Sequence, residues 1–341
     1  MKSFIKSNIM FKVLIFWVSH YYKLFIYFFL FKIKLKDWTP SDKKFNFFLK
    51  RGIIKDRKII FVCDGSKNHG GLADRLRGLL TIYFYSKKNV IPFFIYWDSP
   101  FKLESFIWPN TFDWRINRIK DYKNHNISFP VIIDSNIEGW KNLIKKSFLL
   151  RAMKTNKNLL VYSNLVNKKI PFKTLFNELF QCSDDLKSEL NFHIKKIGSQ
   201  YCSYTFRFGN LFNDFKDIVG KPLEEREKML LLEKNINELK SLLKKLPKNF
   251  KAVVTSDSYF FLKKIENLDS RIYFVDKEIK HPEYNKNEEI NTEIWTKSFL
   301  DFYLIMNAEK VYQVKSQEMY QSGFPELASL ISMKPYVLHS F

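Results

Sequence analysis

Strands and helices alternate through the second half of the sequence, and this alternation restricts the fold more than any other feature. Strands alternating with helices predict an α/β fold with a doubly wound parallel sheet and right-handed crossovers. The predicted strands lie at 201–208, 250–255, 271–275, 310–314 and 336–339. The predicted helices lie at 186–196, 223–246, 259–265, 292–307 and 324–331.

One cation interrupts the aromatic strand predicted at 201–208. Arg207 lies near its carboxyl end, just before Gly209-Asn210, a strong turn signal. Open α/β sheets bind ligands at that edge, and a planar guanidinium makes two parallel hydrogen bonds to an anionic oxygen pair. The sequence therefore predicts an anion site at Arg207. The alternative is an arginine that simply reaches solvent at a strand end.

A glycine-rich turn follows the first predicted strand, at 58–63. Residues 64–71 form a loop ending in Gly70-Gly71, and an amphipathic helix is predicted at 72–83. This order of strand, turn and helix offers free backbone N–H groups to an anion. The loop matches neither a P-loop nor a dinucleotide-binding fingerprint, so the glycines could equally serve only a tight turn. Further strands are predicted at 90–97, 131–133 and 159–162.

Composition narrows the function classes only moderately. The hydrophobic content of 46% excludes global disorder. Lys+Arg 57 against Asp+Glu 35 gives a net charge of +22, which favours phosphates, anionic lipid or nucleic acid as partners. The 3 cysteines match neither a zinc site nor a disulfide framework, so a reducing compartment is the simplest interpretation.

The first 36 residues are aromatic and basic. Lys12, His20 and Lys23 interrupt the apolar run at 10–31, which disfavours a spanning helix and favours a helix lying on an anionic membrane surface. A true anchor and a core helix are the alternatives. We expect three parts: a membrane-associating segment at 1–36, an N-terminal α/β domain at 37–175 and a C-terminal Rossmann-like domain at 176–341.

Four stretches in this order resemble the GDP-fucose-dependent fucosyltransferase superfamily, in particular its α-1,6 members and nodulation fucosyltransferases. The resemblance covers roughly residues 58–97 and 201–330 and implies a GT-B architecture, with two Rossmann-like domains facing a cleft. Ala73 replaces the usual second glycine of the first motif, and Thr205 stands where histidine is usual. The stretches are Gly71-Leu72-Ala73-Asp74-Arg75-Leu76, Thr205-Phe206-Arg207-Phe208-Gly209-Asn210, Val253-Val254-Thr255-Ser256-Asp257-Ser258, and Leu300-Asp301-Phe302-Tyr303-Leu304 with Ser322-Gly323-Phe324.

The resemblance implies a set of site residues. Arg207 would hold the donor β-phosphate together with Ser322, and Asp301 would pair with the guanine edge. The first-domain loop would lie near the donor across the cleft through Gly70, Gly71, Asp74 and Arg75. The expected donor-binding residues are Thr205, Arg207, Asn210, Asp257, Asp301, Ser322 and Gly323.

Physical chemistry supports parts of this set. Asp301 lies among apolar residues of a predicted helix, where an unpaired buried carboxylate would be costly and a guanine edge would satisfy it. The alternative is a surface aspartate. Ser322 could act only as a helix N-cap, which is compatible with a phosphate at the same helix start. For Asp257 we favour capping of the helix that begins near residue 259 over a direct donor contact.

The implied reaction transfers fucose from GDP-fucose to a hydroxyl of a glycan or glycolipid with inversion at the anomeric carbon. Arg207 would stabilise the leaving diphosphate, and Asp214 or Asp217 would be the nearest candidates for a catalytic base. Both could instead be solvated loop residues, and a base from the first domain stays open. No Asp-X-Asp pattern lies where a metal would hold the diphosphate, so we expect neither a metal nor a cofactor.

Two other function classes stay open. One is a GT-B transferase that uses another nucleotide sugar. The other is a non-enzymatic basic protein that binds membrane or nucleic acid, although the sequence has no nucleic-acid motif and no clustered arginines. We expect a membrane-associated protein without a nucleic-acid partner, on the cytoplasmic face in a bacterium or Golgi-like and luminal in a eukaryote.

Overall fold

The computed structural model describes residues 57–116, 118–124, 127–133, 149–217, 220–282 and 293–341. The predicted membrane-associating segment, residues 1–36, lies outside these residues. Within the described ranges, no helix combines the length and the apolar character that crossing a bilayer requires. The described elements begin with a strand at Ile59.

The first sheet is built from residues 59–163. Its elements, with the helix that follows its first strand, are β1 (Ile59–Cys63), α1 (Leu72–Lys88), β2 (Phe93–Trp97), β4 (Ser128–Ile133) and β5 (Asn158–Ser163). All strands are parallel, in the order β2-β1-β5-β4. Every residue of β1 is buried, as expected for a continuous apolar strand of a parallel sheet covered on both faces.

A glycine lets α1 approach this sheet closely. A Cβ atom at Gly78 would overlap the backbone carbonyl of Ser163 at the end of β5. No rotamer change relieves a clash with backbone, so any larger residue would push α1 away from the sheet. The position of α1 matters because its first turn faces the second half of the molecule.

The second sheet has five parallel strands. They are β7 (Tyr201–Phe206), β8 (Lys251–Ser256), β9 (Ile272–Tyr273), β10 (Lys310–Lys315) and β11 (Tyr336–Ser340), in the order β11-β10-β7-β8-β9. The accompanying helices are α3 (Asp184–Ile197), α4 (Glu225–Lys245), α5 (Tyr259–Ile265), α6 (Glu293–Asn307) and α7 (Gly323–Ser332). The predicted doubly wound sheet is confirmed, with β7 at its centre. Strand β9 is shorter than predicted, because this edge strand pairs with β8 at only two positions.

A short antiparallel pair that the sequence did not predict forms a separate two-stranded sheet. Strand β3 (Ile107–Pro109) pairs with β6 (Phe180–Cys182), which directly follows helix α2 (Phe172–Leu179). The predicted boundary between residues 175 and 176 therefore falls within α2. Strands of three residues carry no periodic signal, which explains why this pair was missed.

Aromatic side chains join the two halves into a shared core. The rings of Phe106 and Phe299 stack with centroids 4.3 Å apart, and Phe101 lies 5.4 Å from Trp295. The described residues accordingly belong to one compact unit, Ile53–Phe341. Helix α7 contacts α1, α2 and α6, so its N-terminus is fixed relative to the first half.

Candidate active site

A cavity of about 520 Å³ opens at the carboxyl ends of β7 and β8. The first turn of α1 and Lys168 line it from the first half, and the ends of β7 and β8, the segment after β9 and the start of α7 line it from the second. A volume of this size accommodates a small-molecule ligand. The predicted edge of the sheet is therefore the edge at which a concave site is found.

Arg207 immediately follows the last residue of β7 and lines the cavity. Its guanidinium is ion-paired with Asp217, its Nε lies 3.3 Å from Oδ2 of Asp257, and its Cζ lies 4.8 Å from the ring centre of Phe215. The side chain is 20% exposed. These contacts hold the guanidinium in one orientation at the cavity wall, as a pre-organised anion site requires.

Asp257 fastens the loop that carries this arginine. Its two oxygens accept hydrogen bonds from the backbone N–H groups of Phe208 at 2.8 Å and Gly209 at 2.7 Å. Burial raises the pKa of Asp257, while Arg207 and the two N–H donors act in the opposite direction. The preferred interpretation of Asp257 as a helix cap is wrong. Ser258 caps α5 instead, because its Oγ accepts a hydrogen bond from the N–H of Phe261 at 3.1 Å.

The two carboxylates proposed as catalytic bases have other roles. Asp214 accepts hydrogen bonds from Oγ of Ser258 at 2.7 Å and the N–H of Phe260 at 2.9 Å, so it lies at the start of α5. Asp217 forms the ion pair with Arg207. Neither lines the cavity, because both carboxylates are used to hold the loop after β7 and the helix beside it.

Asn210 was expected to contact the donor, and the structure corrects this. Its Oδ1 accepts a hydrogen bond from the N–H of Asp217 at 2.9 Å, and its Nδ2 donates to the carbonyl of the same residue. Asn210 is not among the residues that line the cavity. Its amide closes the loop that positions Asp217 against Arg207.

Thr205 lies at the inner wall of the cavity. Its register partner on β8 is Thr255, and the two Oγ1 atoms are 2.8 Å apart. Both residues are buried and both line the cavity. Thr205 therefore does line the predicted site, with its hydroxyl hydrogen-bonded to the neighbouring strand.

Asp301 projects from α6 into the cavity wall and is buried. Its Oδ2 lies 2.8 Å from Nζ of Lys297, one turn earlier on the same helix, and both side chains are almost fully buried. Its Oδ1 has no hydrogen-bond partner among the described residues. Burial raises the pKa of Asp301, and the Lys297 ammonium opposes that shift. A buried carboxylate oxygen without a partner is costly, so this atom is suited to accept a hydrogen bond from a ligand.

Ser322 is the N-cap of α7, the alternative role that the sequence left open for it. Its Oγ accepts a hydrogen bond from the N–H of Phe324 at 3.2 Å. Ser322 and Gly323 both line the cavity. The start of this helix, where the helix dipole places partial positive charge, therefore faces the same space as Arg207.

Two cations that the sequence did not single out lie at this helix start. Arg77 of α1 donates to the carbonyl of Gly323 and lies 3.1 Å from Oε2 of Glu326, and Nζ of Lys168 lies 3.0 Å from Oε1 of Glu326. A side chain at Gly323 would collide with the guanidinium of Arg77. The sequence did contain a signal for Arg77: it follows Asp74 by three residues on a predicted helix, which places both side chains on the same face. Lys168 had no comparable signal.

The first-domain loop divides into lining and supporting residues. Gly71 and Asp74 line the cavity, and Oδ2 of Asp74 accepts a hydrogen bond from the N–H of Gly71 at 3.3 Å. Gly70 has a φ of +76°, which favours glycine. Arg75 is buried and donates to the carbonyls of Gly70 at 3.0 Å and Ser99 at 2.7 Å. The structure thus corrects the prediction that Arg75 faces the donor, because its guanidinium supports the loop from behind.

Two parallel sheets that face one cavity, with helices packed on them, define the GT-B class of fold. No protein-family model matches the sequence, and no curated protein sequence matches it significantly. Within the described ranges, no group of three or more His, Cys, Asp or Glu side chains is arranged to hold a metal ion.

Solved structures share this architecture. The fucosyltransferase NodZ from Bradyrhizobium aligns with a TM-score of 0.53 and 13% identity, over 81% of this chain and 93% of that chain. The NodZ α-1,6-fucosyltransferase soaked with GDP-fucose gives 14% identity and the same TM-score, over 81% and 92%. A variant of Arabidopsis thaliana FUT1 in complex with GDP gives 10% identity and 0.53, over 89% and 76%. The chain therefore has the GT-B fold of these fucosyltransferases.

Proposed function

We propose that this protein is an inverting glycosyltransferase that transfers fucose from GDP-fucose to a hydroxyl of a glycan or glycolipid. The observation that carries the proposal is that Arg207, the start of α7 and Asp301 line one cavity, and that the buried Oδ1 of Asp301 has no hydrogen-bond partner among the described residues. These are an anion site and a buried hydrogen-bond acceptor within one small-molecule cavity. The shared fold with structures that contain GDP or GDP-fucose supports this choice of donor.

The nucleobase end of the donor would lie at Asp301. A guanine edge presents an N1–H and an N2–H₂ group, and the unpartnered Oδ1 of Asp301 would accept from one of them. Lys297 keeps the buried carboxylate next to a cation, which favours its ionised form. A uracil or adenine edge does not present the same pair of neighbouring donors, so the site should discriminate in favour of guanine.

The diphosphate end would lie between Arg207 and the start of α7. The guanidinium and the positive end of the α7 dipole are already oriented before a ligand binds, so they would stabilise charge as it develops on the leaving phosphate. Arg77 and Lys168 add two cations at the same helix start. We propose that these groups replace a divalent metal in this reaction.

Transfer with inversion breaks the bond between the anomeric carbon and the phosphate oxygen, and the electron pair leaves with the diphosphate. The acceptor oxygen attacks from the opposite face and loses its proton. Because the second half would hold the nucleotide, the fucosyl group would point toward the first half, where the acceptor would bind. We further propose that residues 1–36 hold the enzyme on an anionic membrane surface near a membrane-bound acceptor.

Donor binding and turnover of the full chain test the proposal. Thermal-shift measurements with GDP-fucose, GDP-mannose and UDP-sugars should show stabilisation by the GDP-sugars, and GDP release should require GDP-fucose with a glycan acceptor. Stabilisation by a UDP-sugar alone would instead identify a GT-B transferase with another donor. Binding to DNA that persists at physiological salt, without any response to nucleotide sugars, would support a non-enzymatic basic protein.

Replacement of the arginine at the strand end tests the anion site directly. Arg207→Ala should lower the rate of transfer by about 100-fold or more, because the positive fork on the leaving diphosphate is lost. Arg115→Ala is the matched control, since Arg115 forms a solvent-exposed ion pair with Asp113 outside the cavity. Near wild-type turnover of Arg207→Ala, measured as GDP release, would refute the assignment.

A further inference from the structure

The carboxylates that line the cavity differ in how much of their hydrogen-bonding capacity the protein uses. Both oxygens of Asp257 accept backbone N–H groups, and both oxygens of Glu326 are paired with cations. Asp301 lies buried next to Lys297, at the proposed nucleobase end. The remaining lining carboxylate is Asp74. Its position and its contacts set it apart from the other three.

Asp74 makes weak contacts with the protein. Its Oδ2 accepts one long hydrogen bond, 3.3 Å from the N–H of Gly71, and its Oδ1 lies 3.8 Å from NH1 of Arg77, beyond hydrogen-bonding distance. The side chain keeps 46% of its surface exposed, within the cavity. An acceptor hydroxyl therefore has access to a carboxylate whose lone pairs are mostly unused.

Asp74 also lies on the appropriate half of the molecule. It belongs to the first turn of α1, whereas Arg207 and Ser322 belong to the second half. Arg77, one turn further along α1, reaches the carbonyl of Gly323 at the start of α7. Asp74 is therefore one helical turn from the proposed diphosphate site, on the side where the fucosyl group and its acceptor would meet.

We propose that Asp74 is the general base of the transfer reaction, an inference that rests on the proposed function. The acceptor O–H gives its proton to the Asp74 carboxylate while the acceptor oxygen forms a bond to the anomeric carbon. The bond from that carbon to the phosphate oxygen breaks, and its electron pair leaves on GDP. The products are the fucosylated acceptor, GDP and a protonated Asp74 that returns the proton to solvent.

The surroundings of Asp74 suit this role. Burial raises the pKa of Asp74, and the charges of Arg77 and Arg207 and the N–H of Gly71 act in the opposite direction. A carboxylate with a raised pKa is a stronger proton acceptor while it stays ionised near neutral pH. Other charged or titratable groups line the cavity near it or lie on the same helix: Arg75 on α1, Lys168 before α2, Lys280 and His281 after β9, and Glu326 on α7.

Asp74→Asn separates catalysis from binding. The variant should bind GDP-fucose within about threefold of the wild type in a thermal-shift or calorimetric titration, because the amide keeps the shape of the side chain. Its kcat should fall by about 10²–10⁴-fold. The wild-type kcat/KM should rise with pH through the pKa of Asp74, and this acidic limb should disappear in the variant. Asp98→Asn, an exposed carboxylate outside the cavity, is the matched control and should keep both rate and limb.

Chemical rescue gives a readout that a merely structural role would not produce. Azide carries no proton that must be removed, so Asp74→Ala should convert GDP-fucose and azide into fucosyl azide and GDP, while transfer to the hydroxyl acceptor stays low. The configuration of the azide product should be inverted relative to the donor. Mass spectrometry and NMR would identify this product.

Three results would overturn the assignment. If Asp74→Asn turns over substrate and its kcat/KM still rises with pH as in the wild type, another group takes the proton. Loss of that limb in His281→Gln but not in Asp74→Asn would transfer the role to His281. Loss of GDP-fucose binding in Asp74→Asn would make Asp74 a donor contact instead. A wild-type chain that neither binds nor turns over GDP-fucose would contradict the proposed function itself. Titration of the wild type with GDP-fucose, done before the variants are tested, distinguishes this result from a failure of the Asp74 assignment.

Discussion

Asp257 and Asp301 are both buried carboxylates in the wall of one cavity, yet the protein uses them differently. Asp257 has both oxygens bonded to backbone N–H groups and lies next to Arg207. Asp301 has one oxygen paired with Lys297, and the other has no partner among the described residues. The comparison indicates that Asp257 stabilises the folded loop, whereas Asp301 retains an acceptor for a ligand.

The largest expected effect comes from removing the first carboxylate. Asp257→Ala should lower the free energy of unfolding by about 3 kcal/mol, because it leaves two backbone N–H groups without their acceptor and removes one of the two carboxylates paired with the partly buried guanidinium of Arg207. Transfer activity should fall with it, since Arg207 loses one of the contacts that orient its guanidinium. Urea denaturation followed by circular dichroism measures the stability change. An unchanged unfolding midpoint would contradict the structural role of Asp257.

The second carboxylate should affect binding more than folding. Asp301→Asn should weaken GDP binding by about 10–100-fold, because the amide lacks the negative charge of the carboxylate and presents an N–H₂ donor of its own. The double variant Asp301→Asn with Lys297→Met removes the buried ammonium as well, so it should recover stability without recovering affinity. Isothermal titration with GDP, with UDP as a control ligand, separates the two effects. Equal loss of GDP and UDP binding would argue against a nucleobase contact.

Lys297→Met sharpens the comparison through pH. Without the ammonium, the raised pKa of Asp301 should rise further. A larger fraction of the carboxyl group is then protonated at any given pH, and this fraction falls as the pH increases. Affinity for GDP should therefore be lower than that of the wild type at the lower end of a pH titration and should recover as the pH increases. The wild type should show little change over the same interval. A flat profile in the variant would mean that Lys297 does not control the ionisation of Asp301.

The smallest effect is expected at the start of α7. Gly323→Ala places a Cβ against the guanidinium of Arg77, and a flexible side chain can move aside at small cost. The free energy of unfolding should change by less than about 1 kcal/mol, while GDP affinity should fall by about two- to fivefold, because Arg77 leaves the proposed diphosphate site. Gly198→Ala is not a suitable control, since Gly198 has a φ of +85°. Ser332→Ala, at the other end of α7, is the better one.

The regular elements were predictable because their signal is local. Helix α5 was expected at 259–265 and occupies Tyr259–Ile265, and the strands β7, β8, β10 and β11 lie within two residues of their predicted limits. Arg207 was expected near the carboxyl end of the strand at 201–208, and it immediately follows the last residue of β7. Strand polarity and apolar periodicity are enough to bring that residue to the carboxyl edge of the sheet.

The sequence did not predict which polar residues line the cavity and which hold the surrounding loop in place. Asp214, Asp217 and Asn210 follow Arg207 closely in sequence, which made them candidates for the site, yet their side chains hold the loop together. Arg77 also reaches the site, and it lies 246 positions before its hydrogen-bond partner Gly323 in the sequence. Such a contact leaves no mark in the local pattern of either segment.

The sequence by itself determined the alternation of strands and helices, the parallel sheet that this requires, and the placement of an arginine and an aspartate on elements that border one edge. The tertiary structure decided which carboxylates have both oxygens bonded within the protein and which keep an oxygen that a ligand could use. The physical reason is that burial and hydrogen-bond satisfaction depend on partners contributed by distant segments. A local pattern determines the secondary-structure element on which a residue lies, whereas the packing of distant segments determines which groups its side chain contacts.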